Sequence, residues 1–255
     1  MSGRLILSAR DREQIRSKLV AAAKADPRIG SAAHLGSAAL GLEDRWSDID
    51  LALCMTSDAD FNQVLADWTG LLFDRYEAVA SLDVRRGDIL YRVFLLENTL
   101  QVDLSFWPFG TLHAIGPKFS MIFGSAGEPI SAPTPDPHEL VGMAWLYALH
   151  VRSSIGRSRL LQAEYMLSGM RDNVLALMCK RHGVESVQGR GLDELPEQQK
   201  SRAVECLACS LERIELERAF RATVGILLEE IRYTDYGAAI KLQKTMHRIV
   251  TSLES

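Results

Sequence analysis

A chain of 255 residues with 47% apolar side chains can bury one large core or two moderate ones, which excludes wholesale disorder. The formal net charge is only −4 and no long basic run is present, so a dedicated nucleic-acid surface is not expected.

The first periodic stretch, Asp11 to Ala25, predicts a helix that Asp11 can cap. Ile15, Leu19 and Val20 form its apolar stripe, and Asp26-Pro27 ends it. Small apolar residues from Ile29 to Leu35 then read as a strand that enters a Gly36-Ser37 turn. His34 directly precedes that turn, where it could touch a phosphate or sit as a satisfied strand-end histidine. Ala38 to Leu42 reads as a short helix, and Glu43-Asp44-Arg45 as a polar connection.

The run Trp46-Ser47-Asp48-Ile49-Asp50-Leu51-Ala52-Leu53 carries the chemistry. Alternate side chains of a strand leave by the same face, so Asp48 and Asp50 point together while Ile49 and Leu51 enter the opposite layer. Two carboxylates this close raise one another's proton affinity unless a cation lies between them. Hard oxygen ligands of this kind suit magnesium, which keeps some waters and also binds substrate phosphates. Asp58 to Tyr76 follows as a helix with Phe61, Leu65, Trp68, Leu72 and Phe73 on one side, although Gly70 weakens its middle. From residue 78 the period switches to two, giving strands near Ala78–Arg85, Ile89–Leu96 and Leu100–Phe106 with turns at Gly87-Asp88 and Glu97-Asn98. The third of these alternates cleanly and sets Asp103 on its polar face. An unpaired charge in such a strand would be expensive, so a carboxylate cluster of Asp48, Asp50 and Asp103 is expected, with Gly36 and Ser37 holding a triphosphate beside it.

The combination of Leu35-Gly36-Ser37-Ala38-Ala39-Leu40-Gly41-Leu42, Ser47-Asp48-Ile49-Asp50-Leu51 and Asp103 resembles the nucleotidyltransferase superfamily related to DNA polymerase beta. It is most similar to the aminoglycoside and lincosamide nucleotidyltransferases of the antibiotic-modifying branch. The resemblance covers roughly the first half of the chain. It implies that Gly36 and Ser37 bind nucleotide phosphates and that Asp48 and Asp50 ligate two magnesium ions. It implies that Asp103 completes the metal site or activates the acceptor hydroxyl. ATP or another nucleoside triphosphate is the implied donor, and a small antibiotic-like molecule the implied acceptor. The fold expected on this basis is α+β, a mixed sheet with helices in a catalytic domain over residues 1–130, followed by a helical bundle domain over 131–255.

Beyond the third aspartate, Phe106-Trp107-Pro108-Phe109-Gly110 is an aromatic segment in which Trp107 and Phe109 could line an acceptor pocket or form a hydrophobic plug between the two halves. Gly124 to Pro137 is rich in Gly, Pro, Ser and Thr and reads as the interdomain connection. Helices are then expected over Glu139–Arg152, Arg159–His182, Glu197–Leu228 (as one helix, or as two with a break around Ala222–Gly225) and Tyr236–Leu253.

Arginine is well suited to polyphosphate, so one or two of Arg152, Arg157 and Arg159, with Lys118 or Lys241, are candidates to close over the nucleotide. Arg157, Arg159 and Lys241 are the phosphate-binding assignments. Glu164 is the candidate to receive a cationic acceptor, and Glu77, Asp83, Asp88 and Glu97 are further acidic groups. Cys54, Cys179, Cys206 and Cys209 fit neither a disulfide framework nor a zinc site and are expected as buried thiols. No Gly-x-x-x-x-Gly-Lys loop occurs, which excludes a Walker-type ATPase. The opening residues lack a signal-peptide pattern and no long apolar run follows, so the expected setting is the cytoplasm, without a membrane, as a monomer or homodimer. Two rival readings keep the resemblance. One is transfer to a protein or RNA end, disfavoured by the charge and by the absence of an Arg-x4–6-His signature in the helical half. The other is a regulatory module without turnover, which would normally have lost an aspartate.

Overall fold

A computed structural model of the protein describes residues 9–131 and 134–253. The chain divides into two compact units at the junction of residues 132 and 133.

The first unit is an α+β assembly. Helix α1 (Ala9–Ala25) leads into β1 (Ile29–Leu35), the short α2 (Gly36–Leu40), β2 (Ile49–Met55) and α3 (Phe61–Arg75). A meander of β3 (Ala78–Arg86), β4 (Ile89–Leu96) and β5 (Gln101–Trp107) follows, then three short strands, β6 (His113–Ile115), β7 (Phe119–Phe123) and β8 (Gly127–Ile130). Six strands form one sheet in the order β3-β4-β5-β2-β1-β7. Its β2–β5 pair is parallel and its other pairs are antiparallel, so the sheet is mixed. One face is covered by α1 and α3. Leu19 and Ala23 of α1 and Val64, Trp68 and Leu72 of α3 pack on Ile49, Leu51, Leu53, Phe94, Val102, Leu104 and Phe106, the alternate apolar positions of β2, β4 and β5. The opposite face has a smaller apolar cluster of Ala33, Ala52, Cys54, Trp107 and Leu112.

Chain direction explains two local features. Asp60, rather than Asp58, caps α3 by accepting from the backbone N–H groups of Asn62 and Gln63. Asp26, at the end of α1, accepts from Arg28 and from the indole N–H of Trp68 at 3.1 Å, tying α1 and β1 to α3. The Arg28 bonds, chiefly, hold the Asp26 carboxyl below the usual carboxylate range. A depressed acid stabilises the fold fully above its unfolded pKa of about 3.9 and loses that contribution as pH falls through its folded value. Asp26→Asn should therefore lower stability by roughly 1–3 kcal/mol at pH 7, with the gap to the parent closing in strong acid. Urea titrations at pH 7 and pH 2.5 measure it; equal gaps at both pH values would contradict an ionic contribution.

The short strands differ from expectation. No strand is expected between residues 107 and 137, yet β7 extends the main sheet by pairing with β1, and β6 pairs with β8 in a two-stranded ribbon. Residues of β8 lie inside the segment expected as a connection. Strands of three to five residues carry too little alternation to register, and Pro129 demotes β8 further.

The second unit is helical, with α4 (Pro137–Gly156), α5 (Leu160–Arg181), a 3₁₀ turn at Leu192–Glu194, α6 (Glu197–Glu205), α7 (Arg213–Thr234) and α8 (Tyr236–Thr251). Asp136 caps α4 by accepting from the His138 N–H, with Pro137 in the first turn. Ala144, Ala148, Val151 and Ile155 of α4 pack with Leu167, Met170 and Val174 of α5 and Phe220, Val224 and Leu227 of α7. The carboxylate of Glu230, 1% exposed, receives two bonds of 2.8 Å from the Arg181 guanidinium.

A break near Ala222–Gly225 does not occur. Helix α7 runs through Gly225, and the interruption lies at residues 206–212. Arg218 explains the position: its guanidinium donates to the carbonyls of Glu205 and Leu207 at the end of α6, and Glu215 accepts from the Cys209 N–H. These are end-capping bonds that a helical pattern does not reveal. Cys54, Cys179 and Cys206 are buried as expected, but Cys209 is exposed in this interruption. Among the described residues no helix is long and apolar enough to cross a membrane.

Candidate metal centre

Parallel pairing of β2 with β5 sets Asp50 directly beside Asp103. Asp48, two residues earlier, shares their face. Each of the three half-buried carboxylates offers an oxygen, and these oxygens lie within 4.8 Å of one another. The opposite faces of the same strands fill the helix-covered core, so neither strand can rotate its carboxylates away without exposing Ile49, Leu51, Val102 and Leu104.

Antiparallel pairing of β1 with β2, with His34 opposite Leu51, brings the end of β1 to the start of β2. Gly36 arrives there with φ +59°, and a Cβ at this position would lie 2.2 Å from Asp50 Oδ2. Only glycine permits both the left-handed backbone and the close approach. His34 itself faces the other way. Its partner Leu51 lies in the core under α1 and α3, and burial, then the charge of Arg16 on α1, pushes its imidazole pKa down. A phosphate contact on the carboxylate face is closed to it.

Burial pushes the Asp103 carboxyl up to about 6, and the neighbouring Asp48 charge adds to the effect. Gln101 opposes it. Its side-chain amide donates to both Asp103 oxygens, at 3.0 and 3.1 Å, and reaches Asp48 Oδ2 at 3.4 Å. Gln101 is the site residue that reading the sequence missed; its i, i+2 relation to Asp103 on an alternating strand was the available signal. Ahead of Asp48 the chain is fixed by a tight turn, where Asp44 accepts from the Trp46 N–H and from Ser47 Oγ. Buried Arg12 donates to the Asp44 carbonyl, and Arg16 pairs with Glu43. Together these bonds fasten the segment carrying Asp48 to α1.

The remaining candidates fall in several places. Trp107 is 1% exposed, donates its indole N–H to Ser105 Oγ and packs edge-on against His113. It is buried in the small apolar cluster farther along the carboxylate face, with Ala33, Ala52, Cys54 and Leu112, rather than lining an open pocket. Phe109 is exposed in the turn after β5, and Lys118 is exposed between β6 and β7. Asp83 is bound by Arg92 through two bonds of 2.6 and 2.7 Å on the helix-covered face, away from the three aspartates. Glu77, Asp88 and Glu97 are exposed at strand ends. In the second unit Arg157 donates to Ser153 Oγ after α4, Arg159 precedes α5, Glu164 accepts from Ser168 Oγ at 2.6 Å, and Lys241 is exposed on α8.

Fold and site define an α+β unit that presents three converging carboxylates on the open face of a mixed sheet, followed by a helical unit. Among solved structures the chain is similar to an aminoglycoside 6-adenyltransferase from Bacillus subtilis, with 13% identity over 93% of this chain and 97% of that one and a TM-score of 0.40. Neither a family model nor a curated protein sequence matches the chain.

Proposed function

We propose that the protein is a magnesium-dependent nucleotidyltransferase that moves a nucleoside monophosphate, AMP from ATP, onto a hydroxyl of a small acceptor such as an aminoglycoside or a lincosamide. The observation that supports this reading most is the lateral register of Asp50 with Asp103, with Asp48 on the same face and all three within reach of one cation. The donor set fits the ion: three carboxylate oxygens, one drawn to protonation near pH 6 by its surroundings, and a glycine whose missing side chain lets the backbone approach Asp50.

Asp48 and Asp50 would hold two magnesium ions and Asp103 would complete the ligand set on the acceptor side. When bound, such a pair neutralises charge on the phosphates and acidifies the attacking hydroxyl. The residues of the chain do the rest. Gln101 keeps Asp48 and Asp103 oriented. Gly36 and Ser37 offer backbone to the phosphates, and Arg157, Arg159 and Lys241 are the proposed cationic contacts. In the transfer the acceptor oxygen bonds to the α-phosphorus as the bond to the β-phosphate bridge breaks, and pyrophosphate leaves. The hydroxyl proton passes to solvent as the new bond forms. Positioning contributes much of the acceleration in such a reaction.

Full-length protein mixed with each nucleoside triphosphate, magnesium and a panel of aminoglycosides and lincosamides should release pyrophosphate with at least one pair. Label transfer to protein or RNA instead would replace the acceptor, and silence throughout would overturn the enzyme reading.

A further inference from the structure

The face that carries the three aspartates continues past Asp103 toward the free edge of the sheet. Asp103 pairs with Val93, and Val93 with Leu82; Gln101 pairs with Leu95; Ser105 pairs with Tyr91, and Tyr91 with Val84. Directly paired residues share a face. Leu82, Leu95 and Val84 are 63, 48 and 39% exposed there. Adjacent strands lie about 4.8 Å apart, so this apolar floor starts beside Asp103 and reaches roughly 10 Å to Leu82 on β3. That is the span of one or two sugar-sized rings.

Its charge is as informative as its polarity. The positions of β3 and β4 on this face carry no carboxylate, and the one charged side chain is Arg86, whose guanidinium sits 5.7 Å from the Tyr91 ring centroid. A polyamine laid across β3 and β4 would find apolar surface and a like charge, with no carboxylate on those two strands' share of the face to receive its ammonium groups. A contiguous exposed apolar surface bordering a polar centre is the usual mark of a binding site.

We propose that Leu82, Val84, Tyr91, Val93 and Leu95 form the acceptor floor, and that it takes a hydroxylated acceptor with an uncharged, apolar flank rather than a polycation. This rests on the reading of Asp48, Asp50 and Asp103 as a nucleotidyl-transfer centre, and it narrows the acceptor of that centre.

Calorimetric titration of full-length protein with methyl-, hexyl- and octyl-β-glucoside, below their micellar concentrations, tests it. Affinity should rise with chain length, by about fourfold for each methylene fully buried. Leu82→Glu and Leu95→Glu, both at exposed positions, should weaken octyl glucoside binding roughly tenfold or more, because a carboxylate would be desolvated under the chain. Both variants should keep the parent melting temperature. An aminoglycoside added as competitor should leave octyl glucoside binding unchanged. Length-independent affinity, or unaltered binding in both variants, overturns the proposal. So does a dimer that Leu82→Glu converts to monomer in light scattering, since the face would then be an interface between copies. Chain-length-dependent binding without pyrophosphate release from any acceptor would support the floor while overturning the transfer reading.

Discussion

On the proposed reading, Asp50→Asn and Asp103→Asn should each lower turnover by on the order of a thousandfold or more, because each would remove a charged ligand from ions that supply several kcal/mol of transition-state stabilisation. The two variants should differ in kind. Asp50 lies against Gly36, the proposed phosphate contact, and its loss should weaken magnesium–nucleotide binding along with kcat. Asp103 is proposed for the acceptor side, so its loss should fall mainly on kcat with nucleotide affinity kept. Equal loss of both in Asp103→Asn would contradict that division. Neither change should unfold the protein, and pH should separate the charge from the side chain. In the metal-free protein the Asp103 carboxyl is pushed up to about 6. A raised acid favours the folded state below its unfolded pKa of about 3.9, and that advantage is lost as pH rises through 6. Without magnesium, Asp103→Asn should therefore be more stable than the parent at pH 8 and no more stable at pH 4. Saturating magnesium should reverse the order at pH 8, since the parent gains a ligand interaction the variant cannot make. Melting curves at the two pH values, with magnesium or a chelator, read all four states.

Much of this site was legible because strands have a strict period of two. Val102, Leu104 and Phe106 declared one face of β5 buried, which left Asp103 on the other; Ile49 and Leu51 did the same for Asp48 and Asp50. Period alone, however, does not set register. That Asp50 sits opposite Asp103, rather than one pair along, depends on the length of the β3–β5 meander and on how the β2 strand enters, which only the folded chain shows. The same limit hid Gln101. It reads as a polar residue on an exposed face, and its role as a donor to two carboxylates needs the spatial neighbour Asp48, 53 residues away. His34 shows the same limit: the sequence leaves it open between a phosphate contact and a strand-end histidine, and parity with Leu51 decides by sending it under α1. In the helical half the heptad-like spacing of apolar residues located the helices, but the α6–α7 interruption depends on Arg218 reaching back to two carbonyls. Tertiary bonds of this kind decide where a helix stops when neither proline nor glycine does.

Gly36→Ala is the most economical way to disrupt the centre without touching a carboxylate. The backbone at Gly36 is left-handed, which costs an L-residue roughly 1–2 kcal/mol, and the new methyl would meet Asp50 Oδ2 at a distance no real Cβ tolerates. Two relaxations are open. The start of α2 can retreat from β2, taking the Gly36-Ser37 backbone away from the proposed phosphate position, or Asp50 can turn away from Asp48 and Asp103. The core under β2 resists any shift of the strand itself, since Ile49, Leu51 and Leu53 are fully buried, so the adjustment falls on the groups that face the ligand. Gly36→Ala should therefore lose at least tenfold in affinity for magnesium–nucleotide, with turnover falling further, while melting only a few degrees below the parent. Gly41→Ala is the matched control, because Gly41 is also left-handed but has open space around its Cβ position. It should carry the backbone cost alone and keep nucleotide affinity. Equal effects of the two substitutions on nucleotide binding would mean that backbone strain, and not the approach of Gly36 to Asp50, is what the centre feels.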